Sequence, residues 1–244
     1  MSGVTDPYQP LERKLRLTRG CLEVLVEARN PVGIITKNYL VTRDIDLLGA
    51  LAHYNAVQDT LSITLLDPQL TGRPEPRTSR PARRLEAIRM LSAGGIPVKV
   101  MAAPMIPGLN DTKLSAILEA ASAAGAIYAG FIPVRLPYGV KDIFENGLQA
   151  HFPDRKDKVT TVYGQIWDSR LNDPKLGCRM KGEGIWFDLI ARHFDITCRR
   201  NGRITGQAEL SAGRSASLRQ RAAGSYLFSM DSQRILKKHG TSPL

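Results

Sequence analysis

From Pro10 to Phe152, short apolar, β-branched runs alternate with longer helical stretches, and this alternation constrains the fold more than any other feature. The runs are 32–36 (VGIIT), 60–66, 97–105 and 126–136. About 10–20 residues of helical character lie between successive runs, which predicts βαβ units and a parallel sheet. Residues 11–29 place Leu15, Leu22, Leu25 and Val26 on one face and stop at Asn30-Pro31, so a single helix is expected there. Thr42 reads as the N-cap of a helix over 44–55, with Leu47, Leu48 and Leu51 inward. Ser79 and Pro81 open a helix that closes at Gly94-Gly95. Asp111 reads as the cap of the alanine-rich helix that follows, and a further helix is expected over 140–152.

The pattern is uneven at both ends. SGVTDPYQP reads as the loop that follows a strand, but no strand precedes it, so the chain is expected to be part of a larger barrel or one half of a split protein. After His151 the rhythm stops. Residues 154–167 and 184–200 read as helices, the second offering Trp186, Leu189, Ile190, Phe194 and Ile196 for packing. Three segments result: a partial barrel over 1–152, a helical extension over 153–200, and a disordered basic tail over 201–244.

Charge and composition exclude several classes. The net charge is +11, but residues 199–244 alone hold 9 Lys and Arg against 2 Asp and Glu. The excess therefore sits in the tail, where it could attract nucleic-acid phosphates. No apolar run approaches the roughly 18 residues a membrane span needs, and the first residues have no secretory pattern. A soluble cytoplasmic protein is expected. Cys21, Cys178 and Cys198 are too dispersed for a disulfide framework, and with the four scattered histidines they form no closely spaced metal site. There is no G-x4-G-K-[ST] and no G-x-G-x-x-G opening a helix after a strand.

Parallel βα folds bind ligands where strands end and loops begin. Those positions here are Thr5, Asp6 and Tyr8; Thr36 and Lys37; Thr64 and Asp67; Ala103, Pro104 and Met105; and Arg135, Leu136 and Pro137. A carboxylate to take an ammonium group and a lysine to take a carboxyl group suit a zwitterionic small molecule. Asp6-Pro7 and Asp67-Pro68 are also ordinary turn starters, so the case rests on the convergence of several strand ends.

Residues 2–12 (SGVTDPYQPLE) resemble the loop after the second strand in radical SAM proteins of the "DNA repair photolyase" group, relatives of spore photoproduct lyase. Ile35-Thr36-Lys37, Ser62-Ile63-Thr64 with Leu66-Asp67, Glu75-Pro76-Arg77 and residues 83–88 (RRLEAI) extend the resemblance. So do residues 103–111 (APMIPGLND), Arg135-Leu136-Pro137 and residues 179–184 (RMKGEG), in the family's order. The resemblance implies an incomplete parallel (β/α)6 TIM-like barrel binding S-adenosylmethionine and a four-iron–four-sulfur cluster, for 5′-deoxyadenosyl radical chemistry. It implies that Thr5 and Asp6 hold the methionine carboxylate and amino groups and that Lys37 assists at the carboxylate. Thr64 would bond the ribose, and Ala103 and Pro104 would lie against the adenine.

The family holds its cluster through C-x3-C-x2-C, which is absent here, so no metal ligand is assigned and no catalytic residue is named. Where spore photoproduct lyase has a hydrogen-returning cysteine, the chain has Ser2-Gly3-Val4, which argues against thymine-dimer repair. Three readings stand side by side: a truncated radical SAM protein inactive alone, the C-terminal subunit of a split enzyme completed by a polypeptide bearing the cysteines, and a non-catalytic nucleic-acid-binding module acting through its tail.

Overall fold

The computed structural model describes residues 1, 5–67, 78–136, 139–167, 184–202 and 210–211. Residues 203–209 and 212–244 of the basic tail, Ser2-Gly3-Val4, Cys178, Glu75-Pro76-Arg77, Pro137 and residues 179–183, on which several expectations fall, lie outside them. The fold is α/β. Four strands, β1 (Val32–Thr36), β2 (Val57–Ile63), β3 (Val98–Met105) and β4 (Tyr128–Pro133), form one parallel sheet in sequential order. Strand β2 begins and ends three residues earlier than expected, because the alternating 57–59 segment pairs with Val32, Gly33 and Ile34. Among the described residues the sheet is open, with edges at β1 and β4, and no closed barrel forms.

Helices α1 (Glu12–Leu15) and α2 (Leu17–Ala28) precede the sheet; α3 (Ile45–Ala52), α4 (Pro81–Ala93) and α5 (Leu114–Ala123) connect its strands. Sequential strand order with right-handed crossovers puts connecting helices on one face. The burial pattern agrees. Arg84, Ala87, Ile88 and Leu91 on α4, and Leu114, Ile117, Leu118 and Ala121 on α5, are the buried stripes at helical spacing. They share a core with Ile34, Leu61, Ile63, Val98, Val100 and Ala102 from alternate strand positions. The opposite face carries Gly33, Ile35, Gln58, Thr60, Ser62, Lys99, Met101, Tyr128 and Gly130.

Three helix expectations are corrected. Residues 11–29 form two helices, broken at Arg16, whose φ is 51°. Glu12 is the cause: its carboxylate accepts from the Thr18 backbone N–H at 3.1 Å, capping α2, while the Arg43 guanidinium holds it at 2.8 Å. The Thr42 cap is also corrected. A 3-10 segment, Tyr39–Asp44, comes first, and Asn38 caps it by accepting from Leu40 N–H at 3.0 Å. Thr42 instead donates its hydroxyl to the Tyr39 carbonyl. Likewise a 3-10 turn, Asp111–Lys113, precedes α5.

Helices α6 (Val140–His151) and α7 (Lys156–Trp167) build a second, smaller core over the ends of β3 and β4, from Ile106, Val134, Leu136, Leu148, Val159 and Tyr163. The last helix, α8 (Ile185–Asn201), packs beside α5 and against β4 rather than standing apart. Its Phe187 and Phe194 rings lie 5.7 and 5.2 Å from the ring of Phe131, and its Ile190 and Cys198 join the main core. Ser115 on α5 meets His193 Nε2 at 2.7 Å and Thr197 Oγ1 at 3.0 Å. Of the helices after residue 152, α7 thus belongs to the smaller core and α8 to the main one. No helix among the described residues is long and apolar enough to cross a membrane.

Candidate functional site

The carboxyl ends of the strands gather into two hydrogen-bonded clusters. The first is centred on Asp6. Its Oδ1 accepts from Tyr8 N–H at 2.8 Å and the Thr36 hydroxyl at 2.7 Å; its Oδ2 accepts from Lys37 N–H at 2.8 Å. Asp6 thus clamps the loop before α1 onto the end of β1. A carboxylate offers about four acceptor positions, so one remains after these three bonds. Thr5 is exposed just ahead of it.

The loop is held in place from below. Arg43 bonds both the carbonyl and the carboxylate of Glu12 and both oxygens of Asp44, and Arg19 bonds Asp44 at 3.0 Å and Asp46 at 2.7 Å. The guanidinium partners keep Asp46 below the usual carboxylate range, the Arg19 hydrogen bond being the main cause. Thr18 ties back to the Pro7 carbonyl at 2.5 Å. Charge-assisted bonds of this kind are stronger than neutral ones and fix orientation. Tyr8, fully buried beneath the loop, completes the anchor.

The second cluster is centred on Asn110, also fully buried. Its amide donates to the carbonyls of Thr64 and Pro104, both at 2.9 Å, and its oxygen accepts from Ile106 N–H at 2.6 Å. Thr64 donates its hydroxyl to the Ala103 carbonyl at 2.8 Å. The Ala103–Pro104 peptide bond is cis, and the β3–β4 pairing shifts register between Ala102 and Met105. Proline has no N–H to donate to a ladder, which matches a register break at this position.

A bridge joins the clusters. Ser79 donates its backbone N–H to the Lys37 carbonyl, and its hydroxyl accepts from Tyr39 N–H at 2.8 Å. Arg84, wholly buried in α4, donates to the Ser79 carbonyl, the Ser62 carbonyl and the Thr78 hydroxyl. The structure therefore places Thr5, Asp6, Lys37, Thr64, Ala103 and Pro104 along the carboxyl edge of β1–β3, in two linked clusters. Arg135 and Leu136 follow β4 and are covered by α7, where the Leu136 N–H meets the Tyr163 hydroxyl at 3.1 Å.

Sequence reasoning missed the residues that position this edge. Glu12, Arg43, Arg84 and Asn110 are polar side chains that burial turns into anchors. Their one sequence signal is polarity at positions where the helical pattern calls for an apolar residue, as at Arg84 between Pro81 and Ile88.

Neither of the two described thiols, Cys21 and Cys198, stands where it could share an iron–sulfur cluster with the other. Cys21 is exposed on α2, while Cys198, on α8, faces the core, where burial pushes its thiol up to about 11. Among the described residues no three His, Cys, Asp or Glu side chains are placed to share a metal ion.

No known protein-family profile matches the chain. It is 36% identical over 161 residues to an uncharacterised protein of Mycobacterium tuberculosis, covering 65% of this chain and 47% of the relative. An uncharacterised protein of Methanocaldococcus jannaschii is 27% identical over 177 residues, 72% of this chain and 65% of its own length. One from Acidianus two-tailed virus is 35% identical over 107 residues, 44% of this chain and 34% of the viral protein. The chain spans about half the length of the mycobacterial relative.

Proposed function

We propose that the chain is a partial radical SAM barrel of the "DNA repair photolyase" group, and that its carboxyl edge binds S-adenosylmethionine. One observation carries the reading: three successive parallel strands in sequential order bring Thr36-Lys37, Thr64 and Ala103-Pro104 to one edge, where Asp6 joins them. The donor set suits this ligand. Lys37 offers an ammonium to a carboxylate, Asp6 keeps an acceptor position for an amino group, and the peptide groups around Pro104 offer a flat surface to a base. Bound there with a reduced cluster, the sulfonium would supply a 5′-deoxyadenosyl radical. This chain's own residues bind and orient. The sequence holds no C-x3-C-x2-C, and in this reading the cluster's ligands come from elsewhere.

Equilibrium dialysis of the full chain against labelled S-adenosylmethionine tests the reading. Saturable binding is expected, weakened about tenfold or more by Lys37→Met, since one charge-assisted contact contributes roughly 1.5–3 kcal/mol. A folded chain with no saturable binding at millimolar ligand overturns it.

A second reading, that a separate polypeptide bearing C-x3-C-x2-C completes the enzyme, draws support from the outer edge of β1. Met1 donates to the Gly33 carbonyl and accepts from Ile35 N–H at 3.4 Å, which is the pattern of a parallel bridge. The edge is thus geometrically suited to a further parallel strand. Co-expression with such a polypeptide is expected to yield a stable complex with a visible cluster absorbance; failure to associate discards it. Nucleic-acid binding through residues 201–244 remains a third reading, tested by steep salt dependence and by loss on deleting the tail.

A further inference from the structure

Helix α8 brings a further set of polar groups to the start of α5, outside both strand-end clusters. Asp111, Thr112, Trp186, Leu189, Ile190 and His193 line one cavity of about 490 Å³ between the 3-10 turn Asp111–Lys113 and α8. That is room for a small organic molecule. Leu189 is one of the apolar residues that the sequence offers for packing, yet it is 59% exposed and forms a wall of this cavity. Ile190, beside it, is buried in the main core.

The N–H donors of the cavity are already spent. Asp111 Oδ2 accepts from the Trp186 indole N–H at 3.0 Å and from Gly108 N–H at 2.9 Å, and its Oδ1 accepts from Thr112 N–H at 3.0 Å. Three bonds leave one of the carboxylate's roughly four acceptor positions. Among the described residues no cation forms an ion pair with it. His193 is fixed by a chain of three bonds. Thr197 donates its hydroxyl to the His193 carbonyl at 2.9 Å, Ser115 Oγ lies 3.0 Å from Thr197 Oγ1, and His193 Nε2 lies 2.7 Å from Ser115 Oγ. Each hydroxyl has a single proton to give. Thr197 gives its own to the carbonyl, so Ser115 donates to Thr197 and must receive from His193. The proton of the neutral imidazole is therefore on Nε2, and Nδ1 is left as an acceptor.

We infer that this cavity binds a small organic ammonium, an amine carried on an apolar or aromatic body, with its charge at Asp111 and its body against Trp186 and Leu189. The sign of the ligand follows from the donor count. What the cavity still offers is acceptors, the remaining position on Asp111 and Nδ1 of His193, with the Thr112 hydroxyl able to act either way. An anion would meet a carboxylate there and find that hydroxyl as its one donor. An ammonium brings donors and the opposite charge, and indole is the aromatic ring that best attracts a cation. None of the six lining residues belongs to the Asp6 or Asn110 cluster, so the site holds whether or not that edge binds S-adenosylmethionine.

The test is titration of the full chain with phenethylamine, in parallel with hydrocinnamate and phenethyl alcohol, which carry the same ring on a carboxylate or a hydroxyl. Binding is read by calorimetry and by quenching of indole fluorescence. Saturable binding of the amine is expected, about tenfold or more tighter than that of the alcohol, with none of the acid. Asp111→Asn, of the same shape, is expected to weaken the amine about tenfold or more, the loss of one charge-assisted contact. Leu189→Lys changes an exposed position, so the fold is kept, while a second ammonium beside the carboxylate is expected to weaken the amine by a similar factor. If Asp111→Asn does not fold, Leu189→Lys decides. Amine binding unchanged in either folded variant overturns the inference. So does equal binding of the amine and either analogue, or no saturable amine binding at millimolar concentration.

Discussion

The two faces of the sheet come from the same residues in alternation, yet they follow opposite rules. Along β2, Val57, Leu61 and Ile63 point to the helices and are almost wholly buried, while Gln58, Thr60 and Ser62 point the other way and are nearly as buried. On the helix side burial is achieved by packing, and polarity is a defect. On the open side Gln58, Thr60 and Ser62 carry polar groups at similar burial, and the Gln58 amide nitrogen has no acceptor. The lesson is that burial alone does not separate core from site; the chemistry of what is buried does.

Asp59 is the exception that tests this contrast. It belongs to the helix-covered row, between Ile34 and Val98, and both its oxygens are buried without a partner. Burial pushes its pKa up to about 7. A folded-state pKa above the unfolded value means that its contribution to stability is full below about pH 4 and is lost as pH rises through 7. Three units correspond to about 4 kcal/mol. Asp59→Asn is therefore expected to stabilise the fold by about that amount at pH 8 and to change little at pH 4, as read by urea unfolding at both pH values.

Leu61→Ala, two residues along the same row, is expected to cost about 3 kcal/mol by the cavity it leaves in a fully buried position. Asn110→Ala, at the edge where the faces meet, removes three hydrogen bonds in a buried setting and is expected to cost about 2 kcal/mol. Thr60→Val, on the open face between Leu61 and Asp59, is expected to shift stability by no more than about 0.5 kcal/mol, because its hydroxyl anchors nothing in the fold. The same unfolding experiment ranks all four. If Thr60→Val cost as much as Leu61→Ala, the distinction between the faces would collapse.

Much of this architecture was legible before any coordinates. Helical spacing in 81–91 and 114–121 and the β-branched runs named a parallel βαβ sheet, because local periodicity and tertiary burial point the same way in those segments. The strand-end positions followed from topology alone. The break at Arg16 and the 3-10 turn at Tyr39–Asp44 did not, since each is imposed by groups distant in sequence: Arg43 on Glu12, and Ser79 on Tyr39 and Asn38. The polarity of the open face was equally hidden. A strand with one apolar face reads the same whether its other face meets solvent, a ligand or a further strand. The place of α8 in the main core depends on Phe131, whose partners Phe187 and Phe194 lie more than fifty residues away.

The central claim, that the carboxyl edge of β1–β3 binds S-adenosylmethionine, is tested most directly by mapping backbone amide chemical shifts of the full chain during titration with that ligand. The account predicts perturbations concentrated at Thr5, Asp6, Lys37, Thr64 and Ala103, saturating together, with the amino ends of the strands at Val32, Val57 and Val98 unmoved. Perturbations confined to other regions, or none at millimolar ligand, would contradict it.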